Sequence, residues 1–230
     1  MANEIAKIVS VDSLVVGVNN EEKRGSEFAF LIDYGTFDIH IGDFVLITGR
    51  NGCGKSTFLR LFHLQNADYF KIVSGGIRFL EEGFPDKSIH LYSTDELTRL
   101  NCMISYIGQE ENFQSGASAY SHILDTCRTA LDYYRGIPRK ERRARLDGVE
   151  TLIKEYYEKY LAKSFQCKSY KTFQRRSVRQ WSGGQQKMIN VLAGIIKAKI
   201  CGLKLVVMDE PLNNLLICPS CTRCECLRVP

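Results

Sequence analysis

Gly49, Gly54, Lys55 and Ser56 stand in the spacing G-x-x-x-x-G-K-S/T, inside the stretch LITGRNGCGKSTFLRLF. That arrangement is suited to phosphate. Glycines let the backbone curl until successive N–H groups point inward at phosphate oxygens. A helix start behind the loop adds a partial positive charge. Lys55 would reach the β- and γ-phosphates of a nucleoside triphosphate, and the Ser56 hydroxyl would ligate Mg²⁺. Gly49, Asn51, Gly52, Cys53, Gly54, Lys55, Ser56 and Thr57 are therefore candidate nucleotide-binding residues.

Two further constellations lie downstream. The run Leu203–Met208 is largely apolar and leads into Asp209 and Glu210. A carboxylate at the end of a strand beside a phosphate loop can hold the loop's Mg²⁺, which suits Asp209. Glu210, the next residue, could orient and polarise an attacking water. Between these regions, Trp181-Ser182-Gly183-Gly184-Gln185 precedes an amphipathic run in which Met188, Val191, Leu192, Ile195 and Ile196 recur at helical spacing. Ser182 and the glycines would leave backbone N–H groups free at a helix N-terminus, a second surface that favours phosphate.

These residues need elements to hold them. Phe44–Thr48 is a short apolar, β-branched run, which predicts a buried strand entering the loop. A helix follows, with Phe58, Leu61 and Phe62 on one face. The alternation Phe37, Ile39, Ile41 predicts a core strand. Leu146, Val149, Leu152, Ile153, Tyr156, Tyr157 and Tyr160 recur at three- and four-residue spacing, as on a helix. Just before them stand Arg139, Lys140, Arg142, Arg143 and Arg145. Such a run could meet nucleic acid or lipid, but Glu141 and Asp147 interrupt it, and it reads as a solvated helix face.

The 230 residues suit one large domain or a core with a subdomain. With 44% hydrophobic and 25% charged residues the composition is that of a globular protein. No apolar run approaches the roughly 18 residues of a membrane span. The N-terminus carries Glu4 and Lys7 and lacks a signal-peptide layout, so a cytoplasmic location is expected. A net charge of +5 does not by itself point to nucleic acid. Cys53, Cys102, Cys127, Cys167 and Cys201 are scattered, as for reduced thiols.

Taken together, GRNGCGKST, YIGQE, WSGGQQ and LVVMDEPLNNL resemble the motifs of ATP-binding-cassette (ABC) ATPases, in that family's order, across residues 1–215. Trp181 stands where the family's signature usually has leucine. The resemblance implies an α/β fold: a phosphate-loop NTPase core with a mostly parallel sheet, an antiparallel β subdomain, and a helical subdomain at about 115–180. It implies ATP and Mg²⁺ as cofactors, with Ser56, Gln109 and Asp209 at the metal and Glu210 and Gln109 in the catalytic role. Ser182, Gly183, Gly184 and Gln185 would contact the γ-phosphate of a nucleotide held by a second subunit, in a homodimer or heterodimer of ABC domains. The implied function is the ATP-binding subunit of a transporter, coupled to a transmembrane partner and so peripheral to the inner face of a membrane. A non-transport member acting on DNA or ribosomes, or a nucleotide-binding remnant without turnover, are the alternatives. An adenine-stacking aromatic is also implied; Phe28, Phe30, Tyr34 and Phe37 are candidates, with none preferred.

The resemblance stops after DEPLNNL. Leu216 replaces the expected D-loop aspartate, and His40, His63, His90 and His122 all precede the signature, so none matches the family's switch histidine. The expectation is a core lacking its C-terminal part, with ATP hydrolysis in doubt. Residues 216–230 are expected to form a disordered Cys-rich tail, in which Cys218, Cys221, Cys224 and Cys226 could bind a metal or reflect an altered reading of the chain's end.

Overall fold

The computed structural model describes residues 6–19, 28–62, 70–108, 113, 116–133, 137–162 and 169–210. They gather into two compact units, divided after Ile104. Gln109, Cys167, Leu216 and the four tail cysteines lie outside the described residues.

The first unit is built on β1 (Lys7–Asn19), which is flanked by two antiparallel partners, β2 (Phe28–His40) and β3 (Phe70–Phe79). The central strand carries the buried apolar residues Ile8, Val9, Val11, Leu14 and Val16. A bulge interrupts it: Ser13 has φ 43, lies in a register shift against both partners, and donates its N–H to Thr36 Oγ1 at 2.9 Å. Extra residues of this kind bend a strand and raise its twist. This sheet is the antiparallel β subdomain of the predicted α/β fold. α1 (Lys55–Leu61) buries Phe58 and Leu61, with Phe62 after it. α2 (Thr94–Met103) starts from a reciprocal cap, in which Ser93 Oγ accepts from Glu96 N–H and the Glu96 carboxylate accepts from Ser93 N–H.

The predicted strand at 44–48 is not formed. Residues 43–50 have no regular structure, and Phe44 is 86% exposed and Leu46 74%. An apolar run becomes a buried strand only where neighbouring strands pair with it. The described strands of this unit pair among themselves and leave the run uncovered. The alternation at Phe37, Ile39, Ile41 also ends early: β2 stops at His40, Ile39 is buried, and Ile41 sits half-exposed in a turn.

The second unit is mainly helical. α3 (Ala119–Tyr133), α4 (Arg139–Tyr156), α5 (Tyr170–Arg175) and α6 (Gly183–Cys201) enclose a core of Ile123, Cys127, Val149, Ile153, Phe173, Ile189 and Ile196. α4 continues into a wider π turn at Tyr157–Leu161, closed by Ala162 N–H on Tyr157 O at 2.8 Å. The periodic residues expected on this helix do face the core: Val149, Ile153 and Tyr157 are buried, with Leu146, Leu152, Tyr156 and Tyr160 packed at its margin. The basic run is partly engaged within the unit. Arg142 pairs with Asp132 at 3.0 Å, and Arg145 reaches both Glu141 at 2.7 Å and the Ile200 carbonyl at 3.0 Å. β4 (Ile104–Ile107) and β5 (Leu205–Met208) form a two-stranded sheet.

Candidate functional site

The phosphate loop is shaped by backbone conformation. Gly52 and Gly54 lie at φ 78 and φ 96, in the left-handed region that side chains other than glycine rarely adopt. Gly54 has a second reason to lack a side chain. A Cβ there would run into Ile32 and the Tyr34 hydroxyl. The turn is closed by Cys53 N–H on Arg50 O at 3.3 Å, and α1 begins with Phe58 N–H on Gly54 O at 2.9 Å. Lys55 Nζ donates to Gly49 O and to Arg50 O, each at 3.0 Å, so the ammonium is folded across the loop it serves. Cys53 is exposed.

Tyr34 was among the aromatic candidates, but the structure gives it another task. Its hydroxyl donates to Gly54 O at 2.7 Å, and its ring centroid lies 5.0 Å from that of Phe58. Burial, with Cys53 alongside, pushes the phenol well above the usual tyrosine range, so it stays a donor. Phe37 packs on Phe58 at 5.7 Å, and the Phe28 ring fills the space beside Gly17. Phe30 is 48% exposed and lies on the same face of β2 as Ile32 and Tyr34. Tyr34→Phe keeps the ring and removes the donor. It is expected to destabilise the chain by about 1 kcal/mol, read as a lower urea midpoint at unchanged m. An unchanged midpoint would show that the hydroxyl does not brace the loop.

In the second unit, β5 leads to Asp209, which is 2% exposed, while Glu210 is exposed at φ 48. Adjacent carboxylates thus face different surroundings. A left-handed glutamate is a strained conformation of the kind found at functional sites. The Ser56 hydroxyl and the Asp209 carboxylate are hard oxygen donors of the type Mg²⁺ takes. Among the described residues no group of three or more His, Cys, Asp or Glu gathers to hold a metal on its own.

α6 starts where predicted. Ser182 is its N-cap and exchanges hydrogen bonds with Gln185: Oγ accepts from Gln185 N–H at 3.4 Å, and Ser182 N–H donates to Gln185 Oε1 at 3.1 Å. The core face is turned from the one expected. Leu192 and Ile196 are buried, joined by Ile189 and Ala193, whereas Met188, Val191 and Ile195 are only partly covered. Helical spacing fixes the period of such a run, but the neighbours fix its phase. Trp181, before the cap, is buried against Phe173 and covered by the Arg176 guanidinium 4.3 Å from its ring centroid. Neither that packing nor the buried Lys187 was signalled by spacing.

Comparison with known proteins now adds the family. The ABC transporter family profile matches residues 33–213, most of the chain. The chain belongs to the ABC transporter family. It is 30% identical over 181 residues to the phosphate import ATP-binding protein PstB 2 of Lactobacillus johnsonii, covering 78% of this chain and 62% of that protein. It is 28% identical over 181 residues to the phosphonates import ATP-binding protein PhnC of Treponema denticola, covering 78% and 60%. It thus spans less than two thirds of the length of either relative. Among solved structures it is similar to the dimeric bacterial ABC transporter cassette MJ0796, at 21% identity and TM-score 0.58, covering 91% of this chain and 76% of that one. A putative metal-chelate type ABC transporter in an inward-facing conformation gives TM-score 0.53 at 21% identity, covering 91% and 63%. These likenesses show an ABC ATPase fold. No helix among the described residues of this ABC-family chain is long and apolar enough to cross a membrane.

Proposed function

We propose that this chain is the ATP-binding subunit of an ABC transporter, seated at a membrane through a transmembrane partner. The observation that carries the reading is the loop Gly49–Thr57: left-handed glycines, an ammonium already folded over two loop carbonyls, and a helix start behind it. MgATP is the proposed ligand. Lys55 takes the β- and γ-phosphates, Ser56 and Asp209 hold Mg²⁺ with Gln109, and Phe30 offers the base an exposed ring. Mg²⁺ would supply charge neutralisation and in-line positioning when bound. Glu210 is proposed to orient the attacking water. The domain proposed for this function is 1–215, with the helical segment at about 115–180 docking on the membrane partner.

The signature end of α6 is proposed to face a nucleotide held by a second ABC domain. Gly183 supports this. A Cβ built on it would meet nothing within 4 Å, so nothing in the chain's own packing calls for glycine there. Glycine at such a place suits close approach by a ligand. Gly183→Ala is therefore expected to leave folding stability unchanged or raise it by up to about 1 kcal/mol, since alanine is the better helix former. It should weaken MgATP-dependent dimer formation at least tenfold, measured by sedimentation velocity with and without MgATP. Dimerisation equal to that of the unaltered chain would overturn the assignment of Gly183 to a facing nucleotide.

A further inference from the structure

Two buried polar groups of the second unit hang from successive carbonyls at the end of β4. Asp209 N–H donates to Ile107 O at 2.9 Å. Lys187 Nζ donates to the next carbonyl, Gly108 O, at 2.6 Å. Lys187 is only 2% exposed and lies on the α6 face that carries Gly194, opposite the face of Ile189, Leu192 and Ala193. Burying an ammonium is costly unless it is hydrogen-bonded, and an uncharged side chain would avoid that cost. The cation therefore has a task at its acceptor.

Its position is rigid. Gly194 lies seven residues further along the same helix face, two turns or about 10.5 Å away. α6 touches β4 directly there: a Cβ on Gly194 would collide with Ile107, and Ser105 Oγ donates to Gly194 O at 3.0 Å. Lys187 follows the signature cap, Ser182, by five residues. Two points of α6 are thus tied to β4: Gly194 against Ile107 and Ser105, and Lys187 at Gly108, beside the carbonyl that holds Asp209.

We propose that Lys187 is a positioning residue: a strut that fixes the β4 end from which Asp209 is suspended, and so links the signature turn of α6 to the carboxylate placed at Mg²⁺. The inference rests on the MgATP reading and deepens it. The proposed path is the series of contacts α6, Lys187, Gly108 O, Ile107 O, Asp209, and the coupling along it is reciprocal.

The test compares ATP affinity by calorimetry with Mg²⁺ and with excess chelator, in the full chain. Lys187→Met keeps the unbranched stem as far as Cε and removes charge and donor; Lys187→Arg keeps both. In the unaltered chain Mg²⁺ should tighten ATP binding. In Lys187→Met that tightening should shrink at least tenfold, while metal-free affinity moves less than twofold. Lys187→Arg should restore the ratio to within threefold. If Lys187→Met does not fold, Lys187→Gln replaces it; its amide ends one bond short of the ammonium, and the same loss is expected. A variant lacking the ammonium that retains the full Mg²⁺ effect overturns the strut. Failure of the unaltered chain to bind ATP would instead overturn the nucleotide reading on which the strut depends.

Discussion

Lys55→Ala is expected to remove nearly all of the thermal stabilisation that MgATP gives this chain. Without nucleotide, the ammonium donates to Gly49 O and Arg50 O at 3.0 Å each. Both residues are exposed, so their carbonyls turn to water once the side chain is gone. Folding therefore loses little. Binding loses much, because the charge-assisted bonds to phosphate have no substitute. At about 1.5–3 kcal/mol each, two such bonds amount to roughly 3 kcal/mol or more. That corresponds to about a hundredfold in Kd. A ligand at a hundred times its Kd stabilises the folded state by about 2.7 kcal/mol, and the same concentration after hundredfold weakening leaves about 0.4 kcal/mol. For a chain of this size each kcal/mol moves Tm by about 2–4 °C. A shift of roughly 5–10 °C with MgATP should fall to about 1 °C in Lys55→Ala. Equal shifts in the two proteins would remove the phosphate loop from the proposed function.

The contrast between Gly54 and Phe44 shows which parts of this molecule local sequence could reveal. Most of what the loop's glycines answer is set within a few residues, so their spacing announced the turn and the helix start. Ser182 is of the same kind: its cap needs only Gln185, three residues on. Phe44–Thr48 makes the opposite case. Its apolar, β-branched character reports that the segment would benefit from cover. Parallel partners come from crossovers of a dozen residues or more, and no local pattern states whether they engage. The exposed Phe44, Val45 and Leu46 show that the described strands of this unit do not supply that cover. Tyr34 and Lys187 were hidden for a related reason. Each acts across a long separation, 20 residues for Tyr34 to Gly54 and 79 for Lys187 to Gly108. A tyrosine among four aromatics and a lysine in a polar-looking helix start gave no sign of which carbonyl they would find.

Trp181 carries the largest stability effect, and it bears on the signature directly. Trp181 is 3% exposed, its ring lies 6.4 Å from the Phe173 ring, and the Arg176 guanidinium covers it at 4.3 Å. Phe173 in turn meets Tyr157 at 4.7 Å, so the tryptophan completes a cluster of tilted aromatic rings that joins α5 to the π turn after α4. Its carbonyl accepts from Gln186 Nε2 at 2.7 Å, which ties the main chain at this point to the first turn of α6. Trp181→Ala keeps that main-chain bond and empties the core beneath it. The expected cost is about 3–5 kcal/mol, a large share of the roughly 5–15 kcal/mol that hold a typical domain folded. At about 2–4 °C per kcal/mol, Tm should fall by roughly 6–20 °C. Trp181→Leu installs the residue the family more often has. It leaves a smaller void but loses the cation–π contact, worth about 0.5–1 kcal/mol, so its cost should fall between the unaltered chain and Trp181→Ala. Urea unfolding followed by circular dichroism separates the three proteins without relying on the chain's single tryptophan as a probe. If Trp181→Leu matches the unaltered chain, the aromatic cluster does not hold the signature turn in place. The ring would then be an interchangeable apolar filler, and the reason for tryptophan at this position would have to lie in what the signature turn meets outside the chain.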